Sequence, residues 1–151
     1  MDVHHLSLIL CPIDFSRASR IPLVHAVAVA RAFGAQIEVF HVELDPTEES
    51  VLAESLFPVR MVLESLRADT ADHLRQVTDE VRRMGVACRS ASELGRSARS
   101  IVERARQIGA GLIVVGKHPK RRPGPVLLGH VAEQVIEHSP CPVLVVPLPP
   151  E

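Results

Sequence analysis

The stretch "LSLILCPID", Leu6–Asp14, decides the class of fold. Its apolar residues stand side by side and do not alternate with polar ones. A strand built from it is apolar on both faces, which suits a parallel sheet covered on both sides. A helix follows. Ser16 or Ser19 can cap it, and Pro22 fits only near its first turn, where a missing N–H costs little. Leu23, Ala26, Val27 and Ala30 give that helix one apolar face, and Gly34 reads as its C-terminal stop.

Outward from there, elements alternate. "QIEVFHV", residues 36–42, is a second strand, followed by a loop over residues 43–59 that is acidic at its start. A long helix is predicted from about Arg60 to Met84, with Leu63, Leu66, Leu74, Val77, Val81 and Met84 along one face and Gly85 ending it. "VACRSAS", residues 86–92, is a weaker third strand, and Gly95–Gly109 reads as a loop and a helix. "GLIVVG", residues 111–116, is the fourth strand. A helix from Gly129 to about His138 and the strand "PVLVVPL", residues 142–148, complete the chain. The pattern is β-α-β-α-β-α-β-α-β. It predicts an α/β protein, a doubly wound parallel sheet with helices on both faces and right-handed crossovers. Residues 1–151 form a single domain without internal repeats, long enough to bury roughly 70% of its unfolded surface.

Composition excludes several classes of function. Seventeen basic against 18 acidic residues leave no general basic face for nucleic acid. The chain has no Trp, no Tyr and four Phe, which also argues against stacking on single strands. No apolar run approaches the roughly 20 residues of a membrane span, and the N-terminus lacks the cationic region and cleavage site of a signal peptide. Cys11, Cys88 and Cys141 are too few and scattered for a disulfide framework, and read as buried, reduced thiols of a cytoplasmic protein.

Ligands of doubly wound sheets sit beyond the carboxyl ends of the strands, where the strand order reverses. Asp14, His41, Val42 and Gly116 stand at such ends. Gly129 and His130 open a helix whose first N–H groups and dipole favour an anion. The connection within "LIVVGKHPKRRPGPVLLGHVAEQV", Leu112–Val135, carries Lys117, Lys120, Arg121 and Arg122 together with Pro119, Pro123 and Pro125. Ser16 reads as a helix cap and not a nucleophile, since no Gly-x-Ser-x-Gly frames it.

In these residues the chain resembles the universal stress protein family along almost its whole length. "ILCPIDFS" is similar to the family's opening strand and its aspartate, "IEVFHV" to its second strand, and "GLIVVG" and "PCPVLVV" to its fourth and fifth. The resemblance implies a five-stranded sheet in the order 3-2-1-4-5, of the Rossmann-like, adenine nucleotide alpha hydrolase-like kind. It also implies dimers and, in one branch, ATP at the reversal of strand order. The motif of that branch is Gly, two residues, Gly, nine residues, Gly, then Ser or Thr. The spacing survives here from Gly116 to Gly129, but Pro119 replaces the second glycine and His130 the hydroxyl residue. Proline fixes φ at about −65° and removes a donor where phosphate needs the backbone close. Histidine fills volume, and Gly111 stands where the family has an aspartate before the fourth strand. The four cations offer side-chain charge in place of a backbone nest.

The expectation is therefore a non-enzymatic stress-response or regulatory protein with impaired or absent ATP binding and no cofactor. Its first alternative is a nucleotide binder, for ATP or AMP with Mg, with Asp14 and Val42 at the adenosine end. Gly116, the basic loop and the helix opened by Gly129 would then face the phosphates. The full set is Pro12, Ile13, Asp14, Val42, Gly116, Lys117, Arg121, Arg122, Gly129, His130 and Val131. The second alternative is an ATP hydrolase, for which only Asp14 suggests a magnesium ligand. Asp14, His41, His118 and His130 are a conceivable zinc set, but a histidine before Val42 is ordinary in the family, and no metal is expected. The last strand lies at an edge in this order, and a long apolar edge needs a cover. A second copy across a two-fold axis supplies one, predicting a homodimer through Val143, Leu144, Val145 and Val146, with Pro147, Pro149 and Pro150 ending the ladder. Other protein partners are compatible with this reading; nucleic acid and membrane are not.

Overall fold

The stretch Leu6–Asp14 does hold a strand covered on both sides, shorter than the stretch itself. In β1 (Leu8–Pro12), Ile9 and Cys11 face one side and Leu10 the other, and all three are fully buried. The computed structural model describes residues 6–44, 59–117 and 130–149. After β1 come a 3-10 turn (Arg17–Ser19), α1 (Arg20–Phe33), β2 (Gln36–Leu44) and α2 (Val59–Arg83). Then follow β3 (Cys88–Gly95), α3 (Ser97–Ile108), β4 (Leu112–Lys117), α4 (His130–His138) and β5 (Val143–Pro147). The five strands are parallel, in the order β3-β2-β1-β4-β5, a Rossmann-like sheet. Ile9 lies opposite Ile37 on one side and Leu112 on the other, so β1 is central.

Each face of the sheet carries two helices. Leu23, Ala26, Val27 and Ala30 of α1 and Leu74 and Val81 of α2 pack on Ile9, Cys11, Val39 and Val114. Ala98, Ile101, Val102 and Ala105 of α3 and Ala132 and Val135 of α4 pack on Leu10, Phe40, Ile113 and Val115. The alternation of strand residues between these two cores is what commits both faces to helices. Pro22 sits in the first turn of α1, and α1 ends at Gly34, whose φ of 68° is the left-handed stop that glycine supplies.

Several boundaries differ from the sequence reading. β3 continues to Gly95, so only Arg96 separates it from α3, because its backbone pairs with β2 from Ile37↔Cys88 to Leu44↔Gly95 whatever its side chains. Met84 lies past the end of α2 and is 39% exposed, so the apolar face stops before it; Leu63 and Leu66 lie outside the described side chains. Gly129 and Pro150 lie outside the described residues. Val146 is committed to the protomer's own core at 4% exposure, while Val143, Leu144 and Val145 are half-buried on the edge strand. No helix among the described residues is long and apolar enough to cross a membrane.

The three cysteines are free. Burial pushes the Cys11 thiol up to about 12 and that of Cys88 to about 11, so neither is a nucleophile near neutrality. Cys141 is only partly covered, contrary to the sequence reading, because it lies in the turn before β5.

Strand β2 also carries a charge the sequence reading passed over. Glu38 is wholly buried, and a buried carboxylate is tolerable only when paired. Arg104 of α3 donates to it twice, Nε to Oε1 at 2.6 Å and Nη2 to Oε2 at 3.1 Å, and Arg89 of β3 donates Nε to Oε2 at 2.7 Å. The Arg104 guanidinium also lies 5.9 Å from the centroid of the Phe40 ring.

Candidate functional site

The strand order reverses between β1 and β4, and a cleft of about 200 Å³ opens there at the carboxyl ends. Its apolar floor comes from Pro12, Ile13, Phe40, Val42 and Val115. Asp14, Ser16 and Ser19 of the β1–α1 turn stand on one wall, and Ser97 and Ile101 of α3 on the other. Pro22 of α1, Val131 of α4 and Gly116 complete it.

The turn after β1 is tightly organised. Asp14 Oδ1 accepts two hydrogen bonds from Ser16, from the backbone N–H at 3.0 Å and from the hydroxyl at 2.6 Å. Ser16 Oγ in turn accepts the Ser19 N–H at 3.2 Å and so caps the 3-10 turn, not α1 as the sequence suggested; Ser19, at the N-cap of α1, makes no side-chain cap bond. Between Asp14 and Ser16, Phe15 has φ of 62°, the one positive value of a non-glycine residue among the described residues. A left-handed conformation costs an L-residue with a Cβ roughly 1–2 kcal/mol. The Phe15 ring is held by two imidazoles, His41 at 4.4 Å and His73 of α2 at 5.1 Å between centroids. His41 Nδ1 lies 2.8 Å from the Ile13 carbonyl, so that nitrogen carries the proton and donates it.

Six residues of the sequence-based set meet in this cleft: Pro12, Ile13, Asp14, Val42, Gly116 and Val131. Two others do not line it. Lys117 ends β4 opposite Pro147, where its carbonyl accepts the Leu148 N–H at 2.9 Å. His130 is exposed at the start of α4, with Nε2 3.1 Å from Nε2 of Gln134. Arg121, Arg122 and Gly129 lie outside the described residues, as do His118, Pro119 and Lys120. Among the described residues, no three His, Cys, Asp or Glu side chains are grouped to hold a metal ion.

The sequence-based set lacks seven cleft residues: Phe40, Ser97, Ile101 and Val115, and also Ser16, Ser19 and Pro22, which the sequence assigns only to the start of a helix. Ser97 opens α3 two residues past the end of β3 at Gly95, whereas the sequence pattern ends that strand at Ser92. Gly116 also has a reason unrelated to phosphate: a Cβ there would lie 3.0 Å from both Pro22 Cγ and Leu148 Cδ1. Gly111, where the family resemblance implies an aspartate, donates its N–H to the Leu8 carbonyl at 2.9 Å, and a Cβ on it would meet Leu6 Cδ1 at 2.8 Å. An apolar floor rimmed by a carboxylate and three hydroxyls suits a small ligand with an apolar body and polar edges.

Comparison with known proteins agrees with this geometry. The model of the universal stress protein family matches residues 7–147. Universal stress protein MJ0531 of Methanocaldococcus jannaschii is 33% identical over 142 residues, covering 93% of this chain and 82% of its own length. The structure of universal stress protein UspA from Lactobacillus plantarum has a TM-score of 0.77 at 26% identity, covering 94% of this chain and 98% of that one. The universal stress protein from Archaeoglobus fulgidus in complex with dAMP shares the fold, with a TM-score of 0.65 at 18% identity, covering 96% of this chain and 98% of that one. Over residues 7–147, from before β1 to the end of the edge strand β5, this chain belongs to the universal stress protein family.

Proposed function

We propose that this chain is a cytoplasmic, non-enzymatic regulator in the stress response that acts as a homodimer. In this reading its cleft takes the adenosine part of an adenine nucleotide and grips a triphosphate poorly. The observation that carries the reading is the cleft itself: Asp14, Val42, Gly116 and Val131 meet at the reversal of strand order, over an apolar floor. At about 200 Å³ it is smaller than the ~300–1,000 Å³ of ordinary ligand pockets, so it suits a base and ribose better than a whole ATP. Two departures support weak phosphate binding. Pro119 offers no N–H, and His130 stands beside Gln134 and not in the cleft. The non-enzymatic part rests on Asp14, whose Oδ1 is occupied by both donors of Ser16.

The test is a thermal-shift titration with adenosine, AMP and ATP, each with and without Mg²⁺. Adenosine and AMP are expected to raise Tm saturably, with about 2.7 kcal/mol of added stability at a hundredfold excess over Kd. ATP should do no better than AMP, no phosphate should be released, and Asp14→Ala should abolish the shift. A flat response to all three ligands at millimolar concentration overturns the reading. A larger, salt-sensitive response to ATP would instead favour phosphate binding by Lys117, Lys120, Arg121 and Arg122.

A further inference from the structure

We infer that Phe15 is a positioning residue: the cluster of tilted rings of His41, Phe15 and His73, hereafter the stack, holds the backbone left-handed at residue 15 and thereby aims Asp14 into the cleft. The inference rests on the proposed adenosine site for its ligand, but not for its geometry. Three observations combine. Phe15 adopts φ of 62°, which a free chain avoids for a bulky residue. Its ring lies against His41 at 4.4 Å and His73 at 5.1 Å, so packing from β2 and α2 holds what the backbone alone would not. Its chain neighbours are the anchored ones. Ile13 gives its N–H to the Phe40 carbonyl at 2.8 Å and takes the His41 Nδ1–H on its own, while Ser16 binds Asp14 Oδ1 twice. His41 therefore serves both sides of Asp14: it ties down the residue before and packs its ring, tilted by 39°, against the residue after. Ile13, Asp14 and Ser16 all line the cleft. Phe15 and His73 do not, lying together on the far side of the turn, where with Ser16 and Ser19 they line a second hollow of about 70 Å³ against α2.

Strain and packing predict different orders among variants. Phe15→Ala removes the stack but keeps a Cβ that disfavours the left-handed region, so the turn should relax and Asp14 should move. Phe15→Asn also removes the stack, but asparagine accepts that region far more readily. Adenosine affinity of the full-length protein should fall about tenfold in Phe15→Ala and return to within about threefold of the wild type in Phe15→Asn. A ring that merely filled space would make asparagine as damaging as alanine or worse, and that order overturns the inference.

A second readout needs no ligand. Exchange of the Ser16 amide proton, followed by NMR, reports its bond to Asp14 directly. It should be faster in Phe15→Ala than in the wild type and close to the wild-type rate in Phe15→Asn. An unchanged rate in Phe15→Ala overturns the inference. If the wild type ignores adenosine, the proposed site falls while the Ser16 amide still decides the role of Phe15. Should Phe15→Ala not fold, His73→Ala removes one side of the stack from an exposed helix position. Its Ser16 amide should then exchange faster than in the wild type, and an unchanged rate counts against the inference.

Discussion

At the scale of single residues, burial determines which charges and thiols matter. Glu38 has no water to solvate it and depends on its two arginines. Arg104 makes two bonds to it and is 27% exposed, whereas Arg89 makes one and is 48% exposed. Arg104→Met should therefore cost about 3 kcal/mol, and Arg89→Met about half as much, in urea denaturation with the m-value unchanged. Equal costs would mean that the pair, not the bidentate contact, carries the carboxylate. Cys11 predicts a pH effect. Its thiol is held up at about 12 when folded, against about 8.5 for a free thiol, so above that lower value the unfolded chain sheds a proton the folded one keeps. Stability should therefore fall as pH rises from about 9 towards 12, and Cys11→Ala should flatten that slope.

At the scale of elements, the end of β4 is where three segments crowd together. Pro22 of α1 and Leu148, the residue just past β5, occupy the side of Gly116 where a Cβ would stand, and its neighbour Lys117 bonds the Leu148 backbone. Gly116→Ala forces a Cβ to 3.0 Å from both, which should cost about 1–3 kcal/mol by overpacking. Since Pro22 and Gly116 also line the cleft, the same variant should weaken adenosine binding, measured by titration calorimetry. A stable Gly116→Ala protein with normal binding would mean that Leu148 moves aside freely. The connections follow the same logic: β3 runs nearly into α3 because its ladder with β2 extends to Gly95, and this puts Ser97 on the wall of the cleft.

At the scale of the whole molecule, the two edges of the sheet differ. β3 presents Arg89, Ser90, Ser92 and Glu93, charged and polar groups that discourage pairing, while β5 is an apolar run. On either side of β5, the Pro142 carbonyl accepts from Ile113 at 3.0 Å and the Leu148 N–H donates to Lys117 at 2.9 Å. Alternate residues of a strand point their backbone groups to opposite sides, so the N–H groups of Val143 and Val145 face away from β4, and Pro147 on that same side has none. The proposed dimer thus has two outward donors per chain. Val145→Pro removes one without touching the β4–β5 ladder. Sedimentation at micromolar concentration should give twice the chain mass for the wild type and the single mass for Val145→Pro. A wild type that sediments as one chain ends the dimer proposal.

Much of the fold was legible along the chain because its signals are local. Unbroken apolar runs such as Leu8–Cys11 and Ile113–Val115 marked buried strands, Pro22 and Gly34 bracketed a helix, and the alternation of elements implied a parallel sheet with its site at the strand ends. Six of the cleft residues followed from that rule and from the family resemblance. What the sequence could not determine are contacts between residues far apart in the chain. Glu38 meets Arg104 across 66 positions, and Phe15 meets His73 across the sheet's α2 side. A one-dimensional pattern records whether a residue is apolar, not which partner will lie above it. The pairing of a buried charge, the strained turn that carries Asp14 and the crowding that requires glycine at 116 exist only once the two helical layers close on the sheet.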